Sequence, residues 1–295
     1  MKRVLITGGA GQLGKSIKDR VENFEDINAT FIDIETLDLT DKDSVREFFS
    51  NRRFDIIVNC AAFTAVDLAE SQPDQAGNIN TFAVRNIAEA ARKFGFKIIH
   101  ISTDYVFDGK KRGAYRETDA AAPHTVYGRT KLDGERALQS LVPDSIIIRT
   151  AWLYSLYGKN FFLTMCQKAW NEERVGVVVD QRGTPTNAGD LAEAILRIID
   201  NPRWIPGVYH YSNLGDITWN EFAKEIYKLL GKDPGLVGCI KTSDLNSAAP
   251  RPCNSLLDKQ KIMETFNISI PEWRESLKET VNEILKDRKF QHGNK

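Results

Sequence analysis

Short apolar runs alternate with amphipathic stretches along the first half of the chain. The run from Lys2 to Thr7 is typical of a buried parallel strand, and a helical pattern follows from Lys15 to Val21. Repetition of this strand–helix unit predicts an α/β fold built on a parallel, doubly wound sheet of the Rossmann type. The strands predicted in this half are Lys2–Thr7, Ala29–Asp33, Phe54–Cys60, Lys97–Ser102 and Ser145–Arg149, and the helices are Lys15–Val21, Lys42–Asn51, Pro73–Phe94 and one that carries Tyr127 and Lys131.

The rhythm of strands and helices changes after Thr150, where polar loops become longer. We expect a dinucleotide-binding domain over residues 1–150 and a smaller, mainly substrate-binding C-terminal lobe over residues 151–295, with part of residues 175–212 returning to the Rossmann core. The Lys-rich tail from Asp287 to Lys295 is expected to be disordered. Predicted elements of this half are helices Phe161–Asn171, Ala188–Ile199, Trp219–Leu230 and Pro271–Asp287, and strands Val175–Val179 and Val208–Ser212.

Composition limits the functions that need to be considered. The chain has 295 residues, with 40 Lys and Arg against 40 Asp and Glu, so its formal net charge is zero. A neutral chain is not expected to bind nucleic acid or an anionic membrane as its main activity. No apolar run approaches about 20 residues, so no membrane-spanning helix is predicted. Four scattered cysteines without a CxxC pair indicate reduced thiols in a cytoplasmic protein.

A glycine-rich turn joins the first predicted strand to the first predicted helix. It reads GGAGQLG from Gly8 to Gly14, and a glycine turn between strand and helix is the context of a dinucleotide-binding fingerprint. Gly8 permits the tight turn, Gly11 lets the backbone approach a pyrophosphate, and Gly14 lets helix and strand pack closely. The turn therefore predicts a dinucleotide cofactor, with a purely structural turn as the alternative.

Asp33 ends the second predicted strand, 19 residues after Gly14. An acidic residue at about this distance typically binds the ribose hydroxyls of the adenosine, and its charge repels a 2′-phosphate. No Arg follows Asp33 immediately to accept that phosphate. NADH is therefore the predicted cofactor and NADPH the second option, while a solvated carboxylate at a strand end is the alternative for Asp33.

Tyr127 and Lys131 lie four residues apart, a spacing that places both side chains on one face of a helix. A tyrosine hydroxyl normally titrates near ~10, and the neighbouring ammonium is expected to lower the pKa of Tyr127. Thr103 ends a predicted strand at the same edge of the sheet. A hydroxyl, a phenol and an ammonium that face a nicotinamide are the groups needed to reduce a ketone. For the pentapeptide alone, the alternative is a surface helix with an incidental Tyr and Lys.

Several motifs together resemble a known family. The most specific are STDYVFDG from Ser102 to Gly109, YGRTKL from Tyr127 to Leu132 and RPCNSL from Arg251 to Leu256. With the glycine motif, they make most of the chain similar to the extended short-chain dehydrogenase/reductase superfamily, and within it to the dTDP-4-dehydrorhamnose reductases. The resemblance implies NAD(P)H-dependent reduction of the 4-keto group of dTDP-4-dehydro-6-deoxy-L-mannose to dTDP-L-rhamnose.

The resemblance also implies roles for individual residues. Thr103 would hydrogen-bond the sugar ketone, Tyr127 would donate the proton, and Lys131 would hold the nicotinamide ribose. Three further side chains would contact the nucleotide sugar, namely Asp104, Tyr105 and Trp152. Together with the residues argued above, the predicted cofactor site comprises Gly8, Gly11, Gln12, Leu13, Gly14, Asp33, Asp38, Leu39, Ala61, Ala62, Phe63, Thr64, Tyr127 and Lys131.

Two of the candidate substrate residues fit a nucleotide sugar on physical grounds. Arg251 carries a guanidinium fork suited to phosphate oxygens, and Trp152 offers a large flat surface at the crevice mouth. The alternatives are a solvated loop arginine and a core tryptophan. The expected partner is a small-molecule nucleotide sugar, and a homodimer is left open.

No metal site is predicted. The four histidines show no metal-ligand spacing. Some relatives bridge subunits through Mg²⁺ with an acidic residue just after the glycine motif, but Lys15 and Ser16 stand there in this chain.

Two other functions fit the same fold. The first is a sugar-nucleotide dehydratase or epimerase, but related dehydratases follow the threonine with Asp-Glu, whereas Tyr105 follows Asp104 here. Loss of the second carboxylate favours simple reduction over elimination. The second is a non-catalytic regulatory subunit of the kind that binds methionine adenosyltransferase. Retention of Thr103, Tyr127 and Lys131 argues against that function.

Overall fold

The computed structural model describes residues 1–286, so the predicted disordered tail from Asp287 to Lys295 lies outside the described residues. The strands are β1 (Lys2–Thr7), β2 (Ile27–Ile32), β3 (Ile56–Asn59), β4 (Lys97–Thr103), β5 (Ile146–Thr150), β6 (Leu153–Tyr154), β7 (Val175–Val178), β8 (Arg182–Gly183), β9 (Thr186–Asn187), β10 (Gly207–Tyr211), β11 (Ile217–Thr218) and β12 (Val237–Ile240). The helices are α1 (Gln12–Lys18), α2 (Lys42–Ser50), α3 (Val66–Ser71), α4 (Pro73–Gly77), α5 (Ala83–Phe94), α6 (Val126–Leu141), α7 (Phe161–Trp170), α8 (Ala188–Asp200), α9 (Trp219–Leu229), α10 (Gln260–Phe266) and α11 (Trp273–Lys286).

Within residues 1–286, six strands form one sheet in the order β10-β5-β4-β3-β1-β2, and every neighbouring pair is parallel. The predicted Rossmann-type fold class is therefore confirmed. Thr7 lies opposite Asn59, which lies opposite His100. This register aligns the carboxyl ends of β1, β3 and β4 at one edge, where doubly wound sheets bind their ligands.

Helices cover both faces of the sheet, because successive residues of β1, β3 and β5 are buried and their side chains point to opposite faces. On one face, Leu5, Ile57 and Ile147 pack under α2, α5 and α6. On the other face, Val4 and Val58 join a cluster that includes the apolar side of α8, which packs beside α1. Helix α6 carries the candidate catalytic residues. Its packing on Leu5, Ile57 and Ile147 therefore sets the position of these residues relative to the sheet.

The C-terminal lobe has a core of its own, formed by α7, α9, α11 and the parallel pair β7–β12. The sequence pattern predicts β7 and these three helices to within a few residues at their ends. It misses β12 and α10, and the strand at Val237–Ile240 has two exposed residues, so its apolar signal is weak.

The long helix predicted over Pro73–Phe94 is interrupted. Asn78–Phe82 forms one turn of π-helix between α4 and α5. Such turns hold an extra residue and occur often at functional sites. Asn78 and Ile79 of this turn line the crevice described next, while the side chain of Asn80 is buried beneath it.

Candidate active site

Two adjoining clefts of about 590 and about 600 Å³ run along the carboxyl ends of the sheet strands. They share Gly8, Gly11, Cys60 and Ala62, so they form two halves of one crevice. We call them the adenosine-side cleft, which contains Asp33, and the catalytic cleft. The catalytic cleft brings together predicted residues from five segments of the chain, namely Gly8, Gly11, Gln12, Leu13, Gly14, Ala62, Thr64, Thr103, Asp104, Tyr105, Tyr127, Lys131 and Trp152.

The glycine turn at the centre of the crevice leaves no room for side chains. Gly8 has a φ of +65°, and a Cβ there would lie 2.8 Å from the backbone nitrogen of Ala61. A Cβ at Gly14 would lie 2.4 Å from the carbonyl oxygen of Gly8. Helix α1 begins at Gln12, three residues before the predicted start, because Gly14 lies inside its first turn. The bare backbone forms a cradle of the kind that accepts a pyrophosphate.

Asp33 is part of the glycine turn as well as of the adenosine-side cleft. Its carboxylate accepts a hydrogen bond from the backbone N–H of Ala10 at 2.8 Å and another from Ile34 at 2.9 Å. Its carboxylate is thereby held between the glycine turn and the adenosine-side cleft. Among the described residues that line this cleft, none is Lys or Arg.

The remaining predicted adenosine-side residues lie along the same cleft. Asp38 accepts hydrogen bonds from the backbone and hydroxyl of Thr40, and the carbonyl of Leu39 accepts one from Asn86. Ala61 and Ala62 line the opposite side. Their small side chains leave the cleft open beside the glycine turn.

Thr103, Asp104 and Tyr127 meet at the floor of the catalytic cleft. The Thr103 hydroxyl donates to an Asp104 carboxylate oxygen at 3.0 Å and is also bonded to the Tyr127 phenol. Burial raises the pKa of Asp104 to about 7, and its second oxygen, Oδ2, has no protein partner. The hydroxyl of Thr103 therefore links two protonatable groups, the carboxyl of Asp104 and the phenol of Tyr127.

The pKa of Tyr127 runs against the prediction from sequence. Burial raises the pKa of this phenol to about 12, while its hydrogen bond with Thr103 opposes that rise. The expected lowering by Lys131 is wrong for this arrangement, since the Lys131 Nζ donates to the carbonyl of Ile101 at 2.6 Å. Tyr127 consequently stays protonated at neutral pH, as a proton donor must.

Lys131 is almost completely buried, with 2% of its surface exposed. Burial lowers the pKa of its ammonium to about 8, against the attraction of Glu135 one turn further along α6. Glu135 in turn forms a buried ion pair with Arg149 on β5. The lysine keeps its charge at pH 7 in a site that offers it one backbone hydrogen bond among the described residues.

Helix α6 is held close to the floor of the cleft by its sequence. Thr125 caps its first turn by accepting from the N–H of Gly128 at 2.9 Å, and Glu70 accepts from the N–H of Val126 at 2.8 Å. A Cβ at Gly128 would lie 2.2 Å from the carbonyl oxygen of Tyr105. Glycine at this position therefore allows the close approach that places Tyr127 beside Thr103.

Asn80 is a site residue that the sequence analysis missed. Its amide accepts from the backbone N–H of Phe63 at 2.9 Å and donates to the carbonyl of Phe63 at 3.1 Å. It also donates to the hydroxyl of Thr130, the residue before Lys131. Asn80 thus joins the segment around Phe63 to α6. Thr64 in that segment lines the catalytic cleft. The side chain of Phe63 packs beside Tyr127 rather than lining either cleft.

The structure separates the two residues predicted on physical grounds to contact the substrate. Trp152 lines the catalytic cleft. Arg251 is not among the residues that line it, because its guanidinium pairs with the carboxylate of Asp67. Asp67 also accepts from the backbone N–H of Ala249 at 2.9 Å, so the polar loop around Arg251 is fastened to the start of α3.

The described residues contain no group of three or more His, Cys, Asp or Glu side chains that could hold a metal ion. Lys15 faces the ring of Tyr157, whose hydroxyl donates to Asp19.

In residues 1–286, no helix is both long and apolar enough to cross a lipid bilayer.

Comparison with known proteins agrees with this geometry. The family model described as the RmlD substrate binding domain matches residues 1–286. The dTDP-4-dehydrorhamnose reductase of Aggregatibacter actinomycetemcomitans is 41% identical over 288 residues, which cover 94% of this chain and 98% of that protein. The chain belongs to the dTDP-4-dehydrorhamnose reductase family. It is therefore an oxidoreductase.

Two further similarities bear on its chemistry. A protein of Streptomyces antibioticus described as a probable dTDP-4,6-dihydroxy-2-methyloxan-3-one 4-ketoreductase is 40% identical over 285 residues, covering 96% of each chain. A solved structure of dTDP-4-dehydrorhamnose reductase from Bacillus anthracis in complex with NADP has a TM-score of 0.91 and 36% identity, covering 96% of this chain and 99% of that one. Both of these proteins match this chain over nearly its whole length.

Proposed function

We propose that this chain reduces the 4-keto group of dTDP-4-dehydro-6-deoxy-L-mannose to give dTDP-L-rhamnose. The observation that carries the proposal is the convergence of Thr103, Tyr127 and Lys131 on one cleft that continues into the glycine turn. Relatives across the family are named for reduction of a keto group on a dTDP-linked sugar. A protonated phenol and a hydroxyl beside a nicotinamide site are suited to that reaction.

Each of four side chains in the catalytic cleft has its own role in the proposed reduction. A nicotinamide, when bound, would supply the hydride needed at C4 of the sugar. Tyr127 donates its phenolic proton to the carbonyl oxygen, and the hydroxyl of Thr103 orients that oxygen by donating to it the hydrogen bond that it otherwise gives to Asp104. The charge of Lys131 favours the phenolate that Tyr127 becomes. Asp104, whose Oδ2 has no protein partner, is placed to accept from or donate to a sugar hydroxyl.

The residues present fit a dinucleotide. The backbone at Gly8, Gly11 and Gly14 forms a cradle that a Cβ would fill. Asp33 supplies a carboxylate for the ribose hydroxyls, and no Lys or Arg lines the described part of the adenosine-side cleft to attract a 2′-phosphate. We therefore propose NADH as the preferred reductant and NADPH as a second one, the relative from Bacillus anthracis having been solved with NADP.

The reaction is tested by following NADH oxidation with a panel of dTDP-4-keto-6-deoxy sugars. Tyr127→Phe should lower kcat by about 10²–10⁴, the usual contribution of a positioned general acid, and should keep NADH affinity because the ring still fills its place. Tyr227→Phe is the matched control, since that hydroxyl donates to the backbone carbonyl of Glu173 in the C-terminal lobe, outside both clefts. A Tyr127→Phe variant with near wild-type kcat would show that Tyr127 is not the acid.

Cofactor preference is tested separately by comparing kcat/KM for NADH and NADPH. NADH should be used at least as well as NADPH, and Asp33→Asn should shift the ratio toward NADPH because it removes the charge that faces a 2′-phosphate. A tenfold preference of the wild type for NADPH, about 1.4 kcal/mol, would contradict the role given to Asp33.

A further inference from the structure

Two stacked indole rings form one wall of the catalytic cleft. Trp152 follows β5, and Trp219 is the first residue of α9 in the C-terminal lobe. Their ring centroids lie 3.7 Å apart with an angle of 13° between planes, and both side chains line the cleft that contains Thr103 and Tyr127. The separation is that of direct contact, so no other ring fits between them.

The backbone of Trp152 adopts a conformation that bulky residues rarely occupy. Its φ is +50°, in the left-handed region where a side chain with a Cβ is strained. Such strain persists only where the surroundings fix the residue, and it clusters at ligand sites. The contacts of the Trp152 ring should therefore be the ones that fix it.

One of these contacts is Trp219, whose own position is firmly set. Thr218 caps α9 by accepting from the N–H of Glu221 at 3.2 Å, while the Glu221 carboxylate accepts from the N–H of Thr218 at 2.7 Å. Phe161 packs on the Trp219 ring at 4.6 Å between centroids. The first residue of α9 consequently has little freedom to move away from the cleft.

The other contact is Gly183 on β8, which pairs with Ile217 two residues before Trp219. A Cβ at Gly183 would lie 2.6 Å from Cε2 and 2.7 Å from Cζ2 of the Trp152 ring. These distances are below any normal carbon contact, so the indole can occupy its place only because residue 183 has no side chain. The two constraints on Trp152 are thus Gly183 on β8 and Trp219, which directly follows β11.

We propose that Trp219 is a positioning residue that holds the indole of Trp152 against the nucleotide sugar. This inference rests on the proposed function, because it takes Trp152 as a substrate contact. The C-terminal lobe then sets the affinity for the substrate through this ring pair. It leaves the chemistry to Thr103 and Tyr127.

The first test replaces the ring and separates binding from turnover. Trp219→Ala should raise KM for the dTDP-4-keto sugar by roughly two- to tenfold, the worth of a stacked aromatic pair. It should leave kcat within about twofold, because contacts equal in ground and transition states change KM alone. Trp219→Phe keeps a ring in place and should give a smaller rise, which protects the test if Trp219→Ala folds poorly.

The second test disturbs Trp152 from the other side. Gly183→Ala adds a methyl group against the indole and should produce the same rise in KM with kcat retained. Trp204→Phe is the control, since that indole donates to the carbonyl of Asp144 and lies outside the cleft. Stacked indoles also couple in near-ultraviolet circular dichroism, and the coupled signal should disappear in Trp219→Phe and persist in Trp204→Phe.

The outcomes are distinguishable. If the coupled signal disappears while KM and kcat both stay at wild-type values, Trp219 does not position a substrate contact and the inference is overturned. A fall in kcat and melting temperature with unchanged KM would assign Trp219 a structural role only, which also overturns it. If the wild type reduces none of the sugars, the proposed function fails instead. Binding of dTDP to wild type and Trp219→Phe, measured by fluorescence quenching, then decides the inference, with equal affinity overturning it.

Discussion

Lys131 holds a charge in surroundings that disfavour it. Burial lowers the pKa of its ammonium to about 8, with Glu135 and Cys60 acting in the opposite direction. Burial raises the pKa of Tyr127 to about 12. Of the two groups, the lysine is therefore the first to lose its proton as pH rises. Because the phenolate formed in the reaction needs a neighbouring cation, loss of that proton should slow the reaction.

We predict that kcat/KM of the wild type falls above pH of about 8, with Lys131 as the titrating group. Lys131→Arg should retain some activity without this limb, because a guanidinium keeps its proton throughout the range. The measurement is a pH–rate profile for both proteins between pH 6 and 10, as a rough working range for groups of this kind. If kcat/KM of Lys131→Arg falls at the same pH as that of the wild type, the titrating group is not Lys131.

The sequence predicted the residues of the site whose signals are local. Tyr127 and Lys131 share a helix, and Gly8, Gly11 and Gly14 share a turn, so their spacing alone is informative. Asn80 and Trp219 were missed because their importance depends on which distant backbone or ring they meet. The ion pair between Asp67 and Arg251 joins residues 184 positions apart, and no pattern in the sequence indicates that Arg251 is occupied in this way.

Helix α6 depends on close approach as much as on helical propensity. Two helical glycines show the difference, since Gly128 lies against the carbonyl of Tyr105 whereas a Cβ at Gly77 would meet nothing within 4 Å. Alanine is favoured over glycine inside a helix by about 1 kcal/mol. At Gly128 the contact at 2.2 Å should outweigh that gain.

We predict opposite effects of alanine at these two positions. Gly128→Ala should lower the free energy of unfolding by about 1–3 kcal/mol, the cost of overpacking. It should also lower kcat by at least about tenfold, because α6 must shift together with Tyr127. Gly77→Ala should be neutral or stabilising with normal kcat. Urea unfolding and steady-state kinetics measure both, and equal behaviour of the two variants would argue against the close approach.

At the scale of elements, the apolar pattern predicted every strand of the central sheet but not every boundary. It could not show the π-turn at Asn78–Phe82, because a single added residue changes the helical period too little to be visible. The pairs β6–β9 and β8–β11 contain two residues in each strand. Strands of that length carry no periodicity, and they form where the sheet and the lobe come together.

The whole molecule is destabilised by its own active site above neutral pH. Asp104 is buried, and burial raises its pKa from 3.8 to about 7. The folded protein therefore binds this proton more tightly than the unfolded chain does. The free energy of unfolding should fall as pH rises from about 4 to about 7, by no more than roughly 4 kcal/mol from this group.

We predict that Asp104→Asn raises the free energy of unfolding at pH 8 and leaves it nearly unchanged at pH 4. The amide keeps an oxygen to accept from Thr103 but carries no buried charge. Asp108→Asn is the contrasting control, since the Tyr115 hydroxyl lowers the pKa of Asp108 and its loss should cost stability at pH 8. The measurement is the thermal melting of the wild type and both variants at about pH 4, where the titration range begins, and at about pH 8, roughly one unit above its end. Destabilisation of Asp104→Asn at pH 8 would contradict the prediction, because it would show that the carboxylate is well solvated.

The place of β10 at the end of the sheet affects how the chain can be made. During synthesis, β1 to β5 emerge first, yet Ile146–Ile148 have no neighbour on their outer side until Gly207–Tyr211 follows. The apolar side of α8, which shields Val4 and Val58, also arrives late. A nascent chain that stops near residue 150 would present an unpaired edge and a bare apolar face, the surfaces that lead to aggregation. We therefore expect that a fragment ending near residue 150 does not fold by itself, because β10 and α8 complete the sheet and its core.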